Sequence, residues 1–245
     1  MEKVMKIKDL KVIMSAAFGL TLMVAAPTAM AWTSGSCPSG GYPAPNDDKP
    51  CFEYDGYYLT ATGNDNTFLG DVNGDPFVFS GRTQLTCGST NLDCDLELEG
   101  KLARNSDGSG GWLVNLEVSG ADVSALPDGA GTPFLCSVVG VGGFDWHVAP
   151  TSEHANFTSS GGVPYPFVGG NLVGNVGGAP GTSGIDVSAG FTLVDNAHVH
   201  DVVYDNPNST FQFNSTLYED VTDADTGCTV NGDLSVQSVG SVHVY

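Results

Sequence analysis

The segment 94–102, Cys-Asp-Leu-Glu-Leu-Glu-Gly-Lys-Leu, puts Cys94, Leu96, Leu98 and Leu102 on one parity and Asp95, Glu97, Glu99 and Lys101 on the other. A period of two sends one set to a buried face and the other to water, whereas a helix would scatter both around its axis. A Gly/Asp-rich turn at 105–111 follows. Trp112, Val114, Leu116 and Val118 then repeat the alternation, so the two segments are predicted to pair as a hairpin with one apolar face. Similar short runs recur at 52–62, 134–139, 144–148, 185–194, 198–204, 211–218 and from 229 onward, separated by Gly, Asn, Asp and Pro. No amphipathic helical period opens beyond the first 31 residues. The expected fold is all-β, an antiparallel sandwich or barrel-like domain.

The first 31 residues carry Lys3, Lys6, Lys8 and Lys11, then a mostly apolar run over 12–26, then Ala29-Met30-Ala31. Charge, short apolar run and small residues in that order read as a secretory signal peptide cleaved after Ala31, and the run is too short for a comfortable membrane span. No later stretch is apolar enough to be a transmembrane segment. Export to a secreted, periplasmic or cell-surface location permits disulfides, and all six cysteines lie beyond residue 31. Six cysteines allow 15 pairings. The expected set is Cys37 with Cys51, Cys87 with Cys94, and Cys136 with Cys228, the first two closing short loops.

Four of the eight Lys and Arg, and two of the 28 acidic residues, fall in the first 31. Beyond them Lys49, Arg82, Lys101 and Arg104 face 26 acids, a net charge of −22. Such a field repels nucleic acid and anionic membranes, attracts cations, and opposes compaction unless salt or divalent ions screen it. The remaining 214 residues suit one large domain. Residues 32–60, rich in Ser, Gly, Pro and Asn, read as an irregular segment closed by Cys37–Cys51. Residues 61–245 read as the β domain, with a flexible or loosely extended Gly/Pro-rich insertion at about 159–184. Tyr54, Tyr57 and Tyr58 read as packing residues in preference to a sugar platform.

Two short patterns could bind metal. Asp71, Asn73 and Asp75 have the alternate spacing of a calcium loop, but Pro76 stands where the sharp turn wants Gly and Arg82 where an acid belongs. A plain Asn-Gly turn explains the same residues and is preferred, leaving calcium as the one cofactor considered. His198 and His200 share one face of a strand, a spacing that suits zinc or copper if His147, His154 or His243 joins them. Two histidines on a solvent-facing edge are the plainer expectation. Neither a G-x-S-x-G elbow nor an H-E-x-x-H helix is present, so no catalytic residue is assigned.

In order, the chain carries Cys94-Asp-Leu-Glu-Leu-Glu-Gly-Lys-Leu, Val118-Ser119-Gly120, Cys136-Ser137-Val138 and Trp146-His147-Val148-Ala149-Pro150-Thr151-Ser152. It then closes with Gly227-Cys228-Thr229-Val230-Asn231-Gly232-Asp233-Leu234-Ser235-Val236. Over residues 80–240 this pattern resembles the small secreted activators of alkane oxidation, the Pra proteins of pseudomonads. The chain departs from them in its Cys37–Cys51 segment, its Gly-rich insertion and its acidity. The resemblance implies an exported, non-enzymatic protein associated with growth on hydrocarbons and with surface or biofilm material. Its partners would be an apolar interface or further copies of itself, joined edge to edge as fibres. The alternative is an extracellular carbohydrate- or calcium-dependent binding module. A metalloenzyme built on His198 and His200 is a third reading.

Overall fold

The computed structural model describes residues 32–37, 49–59, 65–154, 161–167, 170–178 and 182–245, so the expected leader at 1–31 lies outside the described residues. The strands are β1 (Trp32–Ser34), β2 (Phe52–Tyr54), β3 (Tyr57–Leu59), β4 (Phe77–Cys87), β5 (Thr90–Ser106) and β6 (Trp112–Ser124). After a one-turn helix α1 (Pro133–Cys136) come β7 (Val139–Gly142), β8 (Trp146–Pro150), β9 (Val163–Tyr165), β10 (Leu172–Gly178) and β11 (Ile185–Ala189). The chain ends with β12 (Thr192–Asp205), β13 (Thr210–Glu219), β14 (Asp225–Val236) and β15 (His243–Val244).

Strands β10, β8, β6, β5, β4, β14, β13 and β12 are hydrogen-bonded neighbours in that order, and β10 also pairs with β12. The sheet therefore closes into an antiparallel barrel, the second of the two architectures that alternation allows. The hairpin expected from Cys94 to Val118 is present, Ser106 opposite Trp112. Its inward parity, Leu98, Leu102, Val114, Leu116 and Val118, is buried. Asp95, Glu97, Glu99 and Lys101, on the opposite parity of β5, are half-buried or exposed.

Five expectations need correction. Cys37 bonds Cys51 as expected, but the other bridges are Cys87–Cys228 and Cys94–Cys136. The turn between β4 and β5 is so tight that Cys87 sits opposite Thr90, and Cys94 lies opposite Thr83 instead. Four residues of strand, about 13 Å, separate Cys94 from the position facing Cys87. Cys228 comes directly opposite Cys87 on β14, with 4.2 Å between Cα atoms, the close spacing of a non-hydrogen-bonded antiparallel pair.

The run at 134–139 is not a buried strand. Pro133 opens the helical turn α1, Phe134 is 79% exposed, and only Cys136 is buried, clamped to β5. Beside that bridge the Thr132 N–H donates to the Asp93 carbonyl and the Asp93 N–H donates to Thr132 Oγ1, an approach so close that a Cβ on Gly131 would sit 2.2 Å from the Asp93 carbonyl oxygen. The described part of the Gly-rich insertion is not loose either. β9 pairs with β6, and β10 is the strand that closes the barrel, buried almost throughout. Glycine there supplies space: a Cβ on Gly174 would meet Val148 at 2.5 Å and the Ala149 carbonyl oxygen at 2.8 Å.

The segment 32–60, expected to be irregular, contributes β1, β2 and β3, which join β15 in a four-stranded sheet with order β1-β3-β2-β15. It shares the main core through Trp32, Phe52, Tyr54 and Leu59. Trp32 packs edge-on against Tyr54 at 4.6 Å, so that tyrosine is a core residue as expected. Finally, the continuous strand expected at 52–62 is broken into the β2–β3 hairpin by Asp55 and Gly56, both with positive φ.

This small sheet closes one end of the barrel. There Lys49 and Arg104, both buried, converge on Asp65: Lys49 Nζ lies 2.7 Å from Oδ2 and Arg104 Nε 2.9 Å from Oδ1. Arg104 also donates to the Pro50 carbonyl at 2.9 Å, and Lys49 lies 4.5 Å over the Trp112 ring. Burial alone would raise the Asp65 carboxyl, but the two cations outweigh it and hold the group below its ordinary value. A group lowered in this way stabilises the fold fully above its unfolded value near pH 4 and loses that contribution as pH falls through the folded value.

Asp65→Asn is expected to lower stability by about 3 kcal/mol at neutral pH, because two buried cations lose their counter-charge, and to flatten the acid limb of the stability curve. Urea unfolding from neutral pH to the acid transition checks both. Non-reducing peptide mapping is expected to recover the Cys87–Cys228 and Cys94–Cys136 pairs. Replacing Cys94 and Cys136 together by Ala, which frees a 42-residue separation, is expected to cost about 4 kcal/mol.

Candidate functional site

The end of the barrel opposite the small sheet differs from the closed end. Toward the closed end Phe79, Tyr204 and Phe211 fill the interior, with Phe79 and Phe211 packed edge-on at 4.8 Å, and the voids are about 20 and 30 Å³. Toward the other end lies a cavity of about 100 Å³. Leu85, Leu96, Val123, Val141, Phe213 and Val230 line it and are only half-buried, although all point inward. An eight-stranded barrel is just wide enough to be filled by side chains or to hold one small ligand, and here the two halves take the two options.

The polar groups in this wall are already satisfied. Trp146 Nε1 donates to the Gly142 carbonyl at 3.1 Å, the Thr83 hydroxyl turns to the Gly81 carbonyl at 3.4 Å, and Cys94 is in its disulfide. The pocket thus offers dispersion contact and exclusion of water, not hydrogen bonds. Cavities lined by aliphatic and aromatic groups take small apolar molecules, and this lining is of that kind.

The same end carries the exposed apolar side chains of the connections. Phe134, Leu135 and Val138 follow β6, Phe191 joins β11 to β12, and Val221 joins β13 to β14; Phe134 is 79% and Phe191 60% exposed. Cys94–Cys136 pins the first of these groups over β5, and Cys87–Cys228 pins the strands beside the mouth. Sequence reasoning missed this site. Inward alternation marks Leu96 or Val230 as a core residue whether or not anything packs against it, and Phe134 carried the signal of a buried strand.

Of the residues singled out from the sequence, Asp71, Asn73 and Asp75 form a self-contained turn. Asp71 Oδ1 accepts from the Asn73 N–H at 2.8 Å and the Asp75 N–H at 3.0 Å, while the Asn73 side-chain amide donates to Asp71 Oδ2 at 3.2 Å. The Asp71 carboxylate therefore organises the turn around itself.

His198 and His200 lie on the outer wall of β12, on either side of Val199, which lines the cavity. They are not on a solvent-facing edge: β12 is paired on both sides, His198 is fully buried, and Tyr218 stacks on His200 at 4.1 Å. Burial lowers His198, against the opposing pull of Asp223. Of the three candidate partners only His154 comes near. His147 lies 3.7 Å from Glu117 on a neighbouring strand, its basicity lowered by burial, and His243 bonds the Asn206 carbonyl at 2.8 Å. Two acids unmarked by any sequence motif join the histidines, Asp220 and Asp223, both in the β13–β14 turn. Burial raises the Asp220 carboxyl.

No family model, curated protein or solved structure matches this chain. Fold and site together define a disulfide-stapled, eight-stranded antiparallel barrel, closed at one end by a small sheet and apolar at the other. No helix among the described residues is long and apolar enough to cross a membrane.

Asp71→Ala is expected to lower stability by about 1 kcal/mol through loss of the turn's acceptor, and by the same amount with and without calcium. Paired urea titrations test it. A loss that grows when calcium is present would restore the calcium-loop reading.

Proposed function

We propose that this chain is an exported, non-enzymatic protein of the extracellular or cell-surface space that takes small apolar molecules, hydrocarbon chain ends among them, into the open end of its barrel. The observation that carries the reading is the cavity of about 100 Å³ whose half-buried aliphatic lining opens at the end bearing Phe134 and Phe191. A pocket closed at one end and open at the other holds the end of a chain while the remainder emerges past the exposed apolar side chains. Burial of each methylene removes apolar surface from water, worth about 0.8 kcal/mol. The reading agrees with what the motif resemblance implies about growth on hydrocarbons. Export is supported by the charged, apolar and small-residue order of 1–31 and by three disulfides.

Two features argue against the carbohydrate-binding alternative. The cavity wall turns its polar groups onto the chain's own backbone, and Tyr54, the most central of the N-terminal aromatics, is buried under Trp32 and Phe77. Sugar recognition needs hydrogen-bonding groups and an exposed ring. Fibre formation by edge pairing has less to work with than the sequence implies, because β10–β12 pairing leaves the barrel strands no long free edge.

The test has two arms. Hexane is expected to raise the unfolding temperature of the wild type in proportion to its concentration, as a ligand of the native state does, whereas soluble oligosaccharides leave it unchanged. Leu96→Phe, which fills the cavity, is expected to abolish the hexane effect without loss of stability. Replacing Phe134 and Phe191 together by Ser is expected to slow the fall of hexadecane–water interfacial tension that the wild type produces. A wild type insensitive to hexane with flat tension curves would refute the proposal.

A further inference from the structure

The histidine cluster on the outer wall is independent of the apolar mouth. Three separate elements build it: β12 supplies His198 and His200, the turn between β13 and β14 supplies Asp223, and the turn after β8 supplies His154. His198 Nε2 lies 2.8 Å from His200 Nε2, and Asp223 Oδ1 lies 3.1 Å from the first and 3.0 Å from the second. His154 approaches from the open side, its Nδ1 3.9 Å from Asp223 Oδ2 and its ring 4.9 Å from that of His200. His154, His200 and Asp223 each present a ligand atom within 4.8 Å of the others.

Three atoms in so small a triangle are poorly served by protons. A neutral imidazole carries one N–H, and a single hydrogen between the two Nε2 atoms cannot also point at the carboxylate; two would collide. A cation inside the triangle satisfies all three lone pairs together. Zinc bonds of 2.0–2.1 Å in tetrahedral geometry set ligand atoms about 3.3–3.4 Å apart, so the triangle needs to open by only a few tenths of an ångström.

We propose that His198, His200, Asp223 and His154 bind one divalent transition-metal ion of the zinc or copper type. Imidazole nitrogen suits that class, whereas calcium requires a shell of oxygens. The surroundings are built to hold the ligands. Asp220, nine-tenths buried, has a carboxylate oxygen without a hydrogen-bond partner, and that oxygen lies 3.8 Å from His198 Nδ1. A carboxylate behind the non-ligating nitrogen is the usual outer partner of a metal-bound histidine.

Asn175, fully buried on β10, ties two arms of the site together. Its side-chain oxygen accepts the Asp201 N–H at 3.0 Å, next to His200, and its side-chain nitrogen donates to the Glu153 carbonyl at 2.6 Å, next to His154. Asp201 has φ +52°, at the irregularity in β12 that breaks its register with both neighbours. Asp223, with φ +57°, is set by a turn in which its N–H donates to the Glu219 carbonyl at 2.9 Å and Thr222 Oγ1 donates to Glu219 Oε2 at 2.6 Å. A bound ion would link β12 to both turns across the outer wall.

The full exported chain, purified without a histidine tag and stripped with EDTA, is titrated calorimetrically with Zn²⁺ and with Cu²⁺. Excess calcium is present throughout to occupy scattered surface carboxylates. One equivalent of either ion is expected to bind, and the Cu²⁺ complex is expected to show nitrogen hyperfine structure by electron paramagnetic resonance. His200→Ala and Asp223→Asn are expected to weaken binding about 100-fold or more, and His154→Ala, at the exposed edge, about 10-fold. Because His154 is 53% exposed at its side chain, that variant keeps the fold and keeps the test decisive should the buried ones not fold. Absence of a one-to-one site in the wild type, or an affinity unchanged in both His154→Ala and Asp223→Asn, would overturn the proposal.

Discussion

Closure of the sheet by the pairing of β10 with β12 is the constraint on which the rest depends. Leu172 opposes Tyr204 and Val176 opposes Val199, and with those bonds the barrel strands are paired on both sides. An open sheet of eight strands would expose its outermost backbone groups and half of its interior; a closed one satisfies the first and buries the second. The strand that closes the ring is also the one richest in glycine. Gly174 and Gly178 lie where a Cβ would strike a neighbour, Val148 of β8 at 2.5 Å and the Ser183 carbonyl oxygen, just before β11, at 2.2 Å. Glycine there allows a seam that bulkier residues would pry apart.

Closure also creates two unlike ends. At one, the sheet of β1, β2, β3 and β15 covers the interior and sequesters Lys49 and Arg104 on Asp65. Arg82 pairs with Asp93 in a two-point contact, 2.8 and 2.6 Å, so three of the four cations beyond residue 31, Lys49, Arg82 and Arg104, are engaged with carboxylates. At the other end no such sheet is present among the described residues, and the interior side chains keep a cavity among themselves. Two disulfides converge there, Cys87–Cys228 across adjacent strands and Cys94–Cys136 from strand to helical turn. They hold an apolar mouth in shape where packing is incomplete, and packing is otherwise what fixes a protein interior.

The outer wall shows how an irregularity becomes a site. A regular β12 would send His198 and His200 outward as two separate side chains on a flat surface. The break in register at Asp201, held by Asn175, draws the turn that carries His154 against the same patch. The β13–β14 turn adds Asp223 from the other side. Bulges bend strands and re-aim side chains, and here the result is four potential ligands from three elements.

Residue order alone determined the all-β class, the inward and outward faces of β5 and β6, the short Cys37–Cys51 loop and the acidic exterior. Each of these is a local property: alternation with period two, or a charge that has nowhere to go but water. The tertiary structure decided the rest. Whether Cys87 finds Cys94 or Cys228 depends on a two-residue turn and on which strand lies alongside. Whether the glycines of β10 are loose or tight depends on what packs over them. Leu96 reads the same in sequence whether its inner side meets Phe79-like filling or empty space. Asp223 carries no spacing motif that relates it to His198, 25 residues away. Distances between remote segments are set by barrel closure and strand register, and those are properties of the whole chain that no short window contains.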